Sequence, residues 1–182
     1  MTLTLVAPTH TVTLDPKWEA PPTDRHLKLN VDAAMHSTTT CGIGIGAMIR
    51  DSTEKFCDTL CSKIQGGSNA FIAERLALRE GLRFVLQHEL LISKVESDCL
   101  KAIFAINSFE PLLAARPIIS DIIVYLSKLG NVVCSHIPCT MNKVAHSLAS
   151  VALRCNLQSF WLYDTLPCVY YDVWSDITSF SQ

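Results

Sequence analysis

From residue 27 the chain alternates strictly: Leu27, Leu29 and Val31 are apolar, while Lys28, Asn30 and Asp32 are polar. A period of two is the mark of a strand with two unlike faces, and it puts Lys28, Asn30 and Asp32 on the same one. A polar, turn-like stretch from His36 to Gly42 leads into an apolar run, Ile43 to Arg50, with glycines near its start. Asp51 to Lys55 has turn composition, and Phe56 to Ile64 reads as a third strand. Three strands joined by short turns predict an antiparallel meander.

The period then changes. Between Ala70 and His88, the residues Ala70, Ala73, Ala77, Leu78, Leu82, Val85 and Leu86 fall on one helical stripe. Asn69 stands where an N-cap belongs. Gly81, inside this helix, costs about 1 kcal/mol relative to Ala unless close packing requires it. Leu91 to Ser97 predicts a fourth strand ending at Asp98. Leu100 to Asn107 and Pro117 to Leu129 predict helices around a loop at residues 108–116. Asn131 to Ile137 predicts a fifth strand. Thr140 is then expected to cap a last helix whose apolar face is Val144, Ala145, Leu148, Ala149 and Ala152.

The order βββαβααβα predicts an α/β fold built on a five-stranded mixed sheet. A meander is continued by parallel strands through right-handed crossovers, giving the order 3-2-1-4-5 with helices on both faces. The first and fourth strands are then parallel neighbours at a topological switch point. Ligands of open α/β sheets bind beyond the carboxyl ends of the strands at such a point. Three segments are expected: an N-terminal arm or linker at 1–25, carrying Pro8, Pro16, Pro21 and Pro22; a domain at 26–155; and an irregular tail at 156–182, rich in aromatics such as Trp161, Tyr163, Tyr170, Tyr171 and Trp174.

Composition narrows the function classes. Of 182 residues, 49% are hydrophobic and 18% charged, which supports a packed core and argues against disorder throughout. Lys and Arg total 15 against 17 Asp and Glu, so no global basic footprint for nucleic acid exists and local charge or bound cations must supply one. Eight cysteines occur without any Cys-x-x-Cys pair, several in apolar runs such as Val132-Val133-Cys134, and read as reduced core thiols. Apolar runs such as residues 118–129 are too short and too interrupted to span a membrane, and residues 1–10 lack the features of a secretory signal. The expectation is an intracellular monomer, in nucleus or cytoplasm.

Chemistry concentrates at three acids. Asp32 and Asp98 end strands expected to lie about 4.8 Å apart, so their carboxylates converge. Glu74, in the early turns of the intervening helix, can lean over the same spot. Three close carboxylates repel unless cations neutralise them, and oxygen ligands suit Mg²⁺ or Mn²⁺. Arg75, Arg79 and Arg83 recur at i, i+4 and i+8 beside Glu74 and could line a phosphate track; Asn30 and Asn142 are further candidates for nucleic-acid contact.

Five segments in order carry a family resemblance: Leu27 to Ala34, Gly44 to Ser52, Ala73 to Leu78, Val95 to Asp98, and Asn142 to Ala149. Together they resemble the ribonuclease H-like domain, most closely its reverse-transcriptase-like plant branch, which is found in retroelement-derived genes. The lead-in Trp18 with Pro21-Pro22 is similar to that branch too. The resemblance implies a Mg²⁺- or Mn²⁺-dependent endonuclease that cleaves the RNA strand of RNA·DNA hybrids. It makes Asp32, Glu74 and Asp98 metal ligands and His136, in Ser135-His136-Ile137-Pro138, the histidine that assists proton transfer or product release. His146 falls where the family has its fourth carboxylate, Ala33 where a Gly is usual after the first Asp, and Cys139 where an Arg is usual before the last helix. The alternative is a catalytically degenerate domain that binds nucleic acid or another protein. A proofreading-type exonuclease is disfavoured, since Asp32 is followed by Ala33 and Ala34 and not by an Asp-x-Glu pair.

Overall fold

The computed structural model describes residues 27–35, 42–53, 55–66, 69–108, 116–154 and 159–162. The N-terminal arm, its Trp18–Pro22 lead-in, most of the 36–42 turn, most of the 108–116 loop and the tail aromatics beyond residue 162 lie outside these. Strands β1 (Leu27–Met35), β2 (Ile43–Arg50) and β3 (Phe56–Ile64) form the antiparallel meander. Helix α1 (Ala70–Gln87) leads to β4 (Ile92–Ser97), parallel to β1. Helices α2 (Leu100–Asn107) and α3 (Arg116–Leu129) precede β5 (Val133–His136), parallel to β4. A single 3₁₀ turn at Cys139–Met141 introduces α4 (Lys143–Arg154), and β6 (Ser159–Leu162) follows.

The sheet order is β5-β4-β1-β2-β3-β6. Its first five strands have the predicted arrangement. The sixth is an addition: Ser159–Leu162, within a stretch expected to be irregular, pairs antiparallel with β3. The sheet thus continues beyond residue 155. Two further expectations are corrected. β1 does not stop at Asp32 but runs three residues further, because Ala33, Ala34 and Met35 go on pairing with β2 after the parallel pairing with β4 has ended at Asn30↔Glu96. The last helix is capped by Asn142 and not by Thr140, which lies in the 3₁₀ turn; the Asn142 carbonyl accepts the first α4 bond, from His146 N at 3.0 Å.

The pleat sorts the layers. Leu29, Val31, Ile45, Ala47 and Ile49 face α1, α2 and α3, whose Ala73, Ala77, Leu78, Leu82, Ile103 and Ile122 complete the main core. Met48 and Cys61 point the other way, onto Val144, Leu148 and Ala152 of α4. Gly44 and Gly46 share that face. A Cβ added at Gly44 would lie 2.0 Å from the Ala149 carbonyl oxygen, and one at Gly46 would lie 2.1 Å from that of Ala145. The α4 backbone therefore rests directly on the β2 backbone, and this close seat brings the start of α4 to the carboxyl end of β1. Gly81 answers to the same need on the opposite face, where a Cβ would meet Val31 Cγ1 at 2.6 Å.

Among the described residues, Cys57, Cys61, Cys99, Cys134 and Cys139 are free thiols, and no helix is long and apolar enough to cross a membrane.

Candidate metal centre

Asp32 sits two residues beyond the Asn30↔Glu96 pair, so the parallel register sets it beside Asp98, just past the end of β4. Glu74 approaches from α1, whose start is fixed by the Asn69 side chain accepting from Ile72 N at 2.9 Å. One oxygen from each of Asp32, Glu74 and Asp98 lies within 4.8 Å of the other two. The expected convergence is thus present in the geometry.

The electrostatics are those of acids pressed together in a half-buried place. Burial, then the Asp98 charge, raises the Asp32 pKa to about 6, against a weaker downward pull from its hydrogen bond with His146. Burial, then the charges of Asp32 and Asp98, raises Glu74 to about 8. Glu74 Oε2 is buried and has no hydrogen-bond partner. A carboxylate oxygen buried without a partner, on one of three clustered acids, is what a hard divalent ion would satisfy, so this donor set fits Mg²⁺ or Mn²⁺.

Three side chains from the β5–α4 region brace the acids. Asn142, 2% exposed, donates Nδ2 to the Val31 carbonyl (2.9 Å) and to Asp98 Oδ1 (3.1 Å). It was expected to touch nucleic acid; it instead ties β1, Asp98 and the start of α4 together. His146 Nδ1 lies 2.7 Å from Asp32 Oδ2, where an ionised Asp32 accepts the Nδ1 proton, and the histidine is 66% exposed. His136 Nε2 lies 3.2 Å from the Asp98 backbone oxygen. A carbonyl can only accept, so Nε2 carries the proton and Nδ1 is left as the acceptor. Cys139 is exposed beside them, its thiol pKa pushed up chiefly by a hydrogen bond to Asp98.

The other expected nucleic-acid contacts are elsewhere. Asn30 is 1% exposed and donates to Glu96 Oε2 at 3.0 Å, within a buried cluster that also holds Lys28 and Lys94. Arg75 is fully buried: its guanidinium donates to the carbonyls of Phe71 (2.6 Å) and Lys101 (3.3 Å) and lies 3.2 Å from the Phe71 ring centre. Arg79 is held by Glu80 at 2.8 Å and faces Asp121 of α3 at 3.6 Å, and Arg83 also pairs with Glu80. Of the arginines along α1, one is thus inside the protein and two are paired with acids.

Two clefts meet at Asp98. One, about 340 Å³, is lined by Ala70, Phe71, Glu74, Asp98, Cys99 and Lys101; the other, about 360 Å³, by Asp98, Cys139, Lys143, His146 and Ser147. Sequence reasoning missed Lys101 and Lys143. Their signal was position, each within the first two residues of a helix that starts at the carboxyl edge of the sheet.

A three-layer fold with three acids at its switch point defines a ribonuclease H-like domain. The family model described as reverse transcriptase-like matches residues 30–152, and the chain belongs to that family. Solved structures share the fold. LC11-RNase H1, isolated from compost and solved in complex with an RNA/DNA hybrid, is 18% identical with a TM-score of 0.63, over 70% of this chain and 96% of that one. RNase H1 of Halobacterium salinarum is 16% identical with a TM-score of 0.57, over 71% and 98%. The N-terminal RNase H domain of Rv2228c from Mycobacterium tuberculosis is 14% identical with a TM-score of 0.60, over 71% and 94%. No curated protein matches by sequence.

Proposed function

We propose that this chain is a divalent-metal-dependent endonuclease that hydrolyses the RNA strand of RNA·DNA hybrids. The observation that carries the proposal is the meeting of the Asp32, Glu74 and Asp98 oxygens within 4.8 Å at the switch point. The hybrid bound in the LC11-RNase H1 structure supports the substrate class.

Asp32, Glu74 and Asp98 would hold Mg²⁺ or Mn²⁺. When bound, the ion neutralises these acids, activates water and offsets charge on the phosphoryl oxygens. The chain's own residues do the rest. Asn142 fixes the Asp98 carboxylate against β1. His136 fixes the Asp98 backbone through Nε2 and keeps Nδ1 as the nitrogen able to take a proton. His146 holds Asp32 from the α4 side, where its nitrogen replaces a fourth carboxylate.

That last contact favours a second reading, in which the domain binds nucleic acid without cutting it. With His146 engaging Asp32 there are three acids and not four, and an imidazole is a poor partner for Mg²⁺. The experiment is hybrid cleavage by the purified chain with Mg²⁺, with Mn²⁺ and with chelator, beside Asp32→Asn. Metal-dependent cutting of the RNA strand that Asp32→Asn abolishes is the expected result. A folded protein that binds the hybrid yet is inert with both ions would establish the second reading.

A further inference from the structure

The arginines of α1 being occupied, the cations that face the carboxylates lie elsewhere. Lys101 is the second residue of α2 and lines the cleft beside Phe71 and Glu74; Lys143 is the first residue of α4 and lines the cleft beside His146. Both side chains are exposed, and neither ammonium has an ion-pair partner among the described residues. The clefts share Asp98, so the two lysines flank the metal-binding acids on opposite helices.

Their placement runs against helix stability. A helix N-terminus carries partial positive charge, favours acids and disfavours a lysine. Neither α2 nor α4 has an acidic residue in its first turn to compensate. Two cations set on two positive helix ends, each opening into a cleft, form an electrostatic seat for anions. The chain as a whole carries a formal charge of −2, so nucleic-acid affinity must come from such local seats.

We infer that Lys101 and Lys143 each hold a phosphate of the bound strand, which crosses the acids from the α2 cleft to the α4 cleft. This inference rests on the nucleic-acid reading above and names the residues that grip the backbone. Phosphate contacts of this kind fix register and orientation and carry no base preference. Phe71, buttressed by the Arg75 guanidinium, provides a firm wall in the α2 cleft against which the intervening sugar can rest.

The test is binding of a fluorescently labelled RNA·DNA hybrid as a function of NaCl, in the full chain carrying Asp32→Asn so that the strand stays intact. Lys101→Ala and Lys143→Ala should each weaken binding and flatten the slope of log affinity against log salt by roughly 0.9, and the double variant by about twice that. Lys101→Arg and Lys143→Arg should keep the slope, and so should Lys128→Ala, an exposed control on α3. Unaltered slopes in the two alanine variants, or equal flattening by Lys128→Ala, would overturn the track. The parent's cleavage is measured alongside. If it cuts the hybrid while the slopes are unmoved, the track alone fails; if it neither binds nor cuts, track and proposed function fail together.

Discussion

Glu74→Gln tests the electrostatics of the site without any need for turnover. In the folded, metal-free chain Glu74 holds its proton up to about pH 8, against 4.5 ordinarily, chiefly because it is buried and then because Asp32 and Asp98 face it. The sign follows from proton counting. Between pH 4.5 and 8 the folded state keeps a proton that the unfolded state has lost, so raising the pH removes stability. That contribution is fully present below pH 4.5 and gone above about 8. The upper limit is roughly 5 kcal/mol, at about 1.4 kcal/mol per pH unit. Because Glu74 is coupled to Asp32, which itself titrates near 6, a realised loss of about 2–3 kcal/mol is the working figure. Gln mimics the protonated acid at every pH. Relative to parent, Glu74→Gln should be nearly neutral at pH 4.5 and increasingly stabilising toward pH 8.5, where a melting temperature higher by roughly 5–10 °C is expected. The assay is thermal melting from pH 4.5 to 9 with chelator, then with Mg²⁺ or Mn²⁺. Divalent ion should raise the parent's melting point at pH 8 and do much less for Glu74→Gln. A parent and variant that track each other across the whole range would refute the reasoning.

Four other outcomes are expected. Asp32→Asn should abolish cleavage and sharply weaken Mg²⁺ binding while the metal-free melting temperature holds or rises, since it relieves repulsion; a folded variant that still cuts would remove Asp32 from the site. Asn142→Ala leaves Asp98 Oδ1 and the Val31 carbonyl without their donor, and should cost about 1–3 kcal/mol in urea titration and roughly 10–100-fold in Mg²⁺ affinity by calorimetry. Gly46→Ala drives a Cβ to 2.1 Å from the Ala145 carbonyl oxygen, and should lower the urea midpoint by the equivalent of about 3 kcal/mol or more. The parent should prefer Mn²⁺ to Mg²⁺, and His146→Asp should raise Mg²⁺-dependent turnover by about 10²–10³, read by metal titration on one labelled hybrid.

Periodicity carried most of the architecture, and its failures have particular causes. The alternation Leu27 to Asp32 was enough to find β1 and the face of Asp32, because one side of that strand is core and the other meets α4. β6 was missed because four residues at a sheet edge hold no full alternation. The acids were legible because strand order converts sequence position into proximity. The arginine stripe divides between core and surface for a geometric reason. A step of four residues overshoots a helical turn by about 40°, so residues 75, 79 and 83 drift around α1. Their exposures, 0%, 27% and 51%, trace that drift from core to solvent. For Asn142, spacing alone does not tell that its amide turns inward to two acceptors, the Val31 carbonyl and the Asp98 carboxylate.

The positions of the nitrogen donors explain why the acids are unequal in what they offer. On the α4 side, Asp32 Oδ2 is taken by His146 and Asp98 Oδ1 by Asn142. On the α1 side, Glu74 Oε2 is buried with no partner at all. Oxygen capacity left over for a cation is therefore greatest at Glu74, the acid that approaches from α1, since Asp98 is engaged by Cys139 as well. A second position, toward α4, would have to displace a nitrogen from an oxygen it already satisfies. The two nitrogens differ in how readily they yield. Asn142 is locked by 2% exposure and two hydrogen bonds, and breaking them strands buried polar atoms. His146 is 66% exposed, and among the described residues its side chain is held by one contact, to Asp32. Turning His146 outward breaks that one contact and leaves its imidazole in solvent, whereas Asn142 is built into the packing of the sheet.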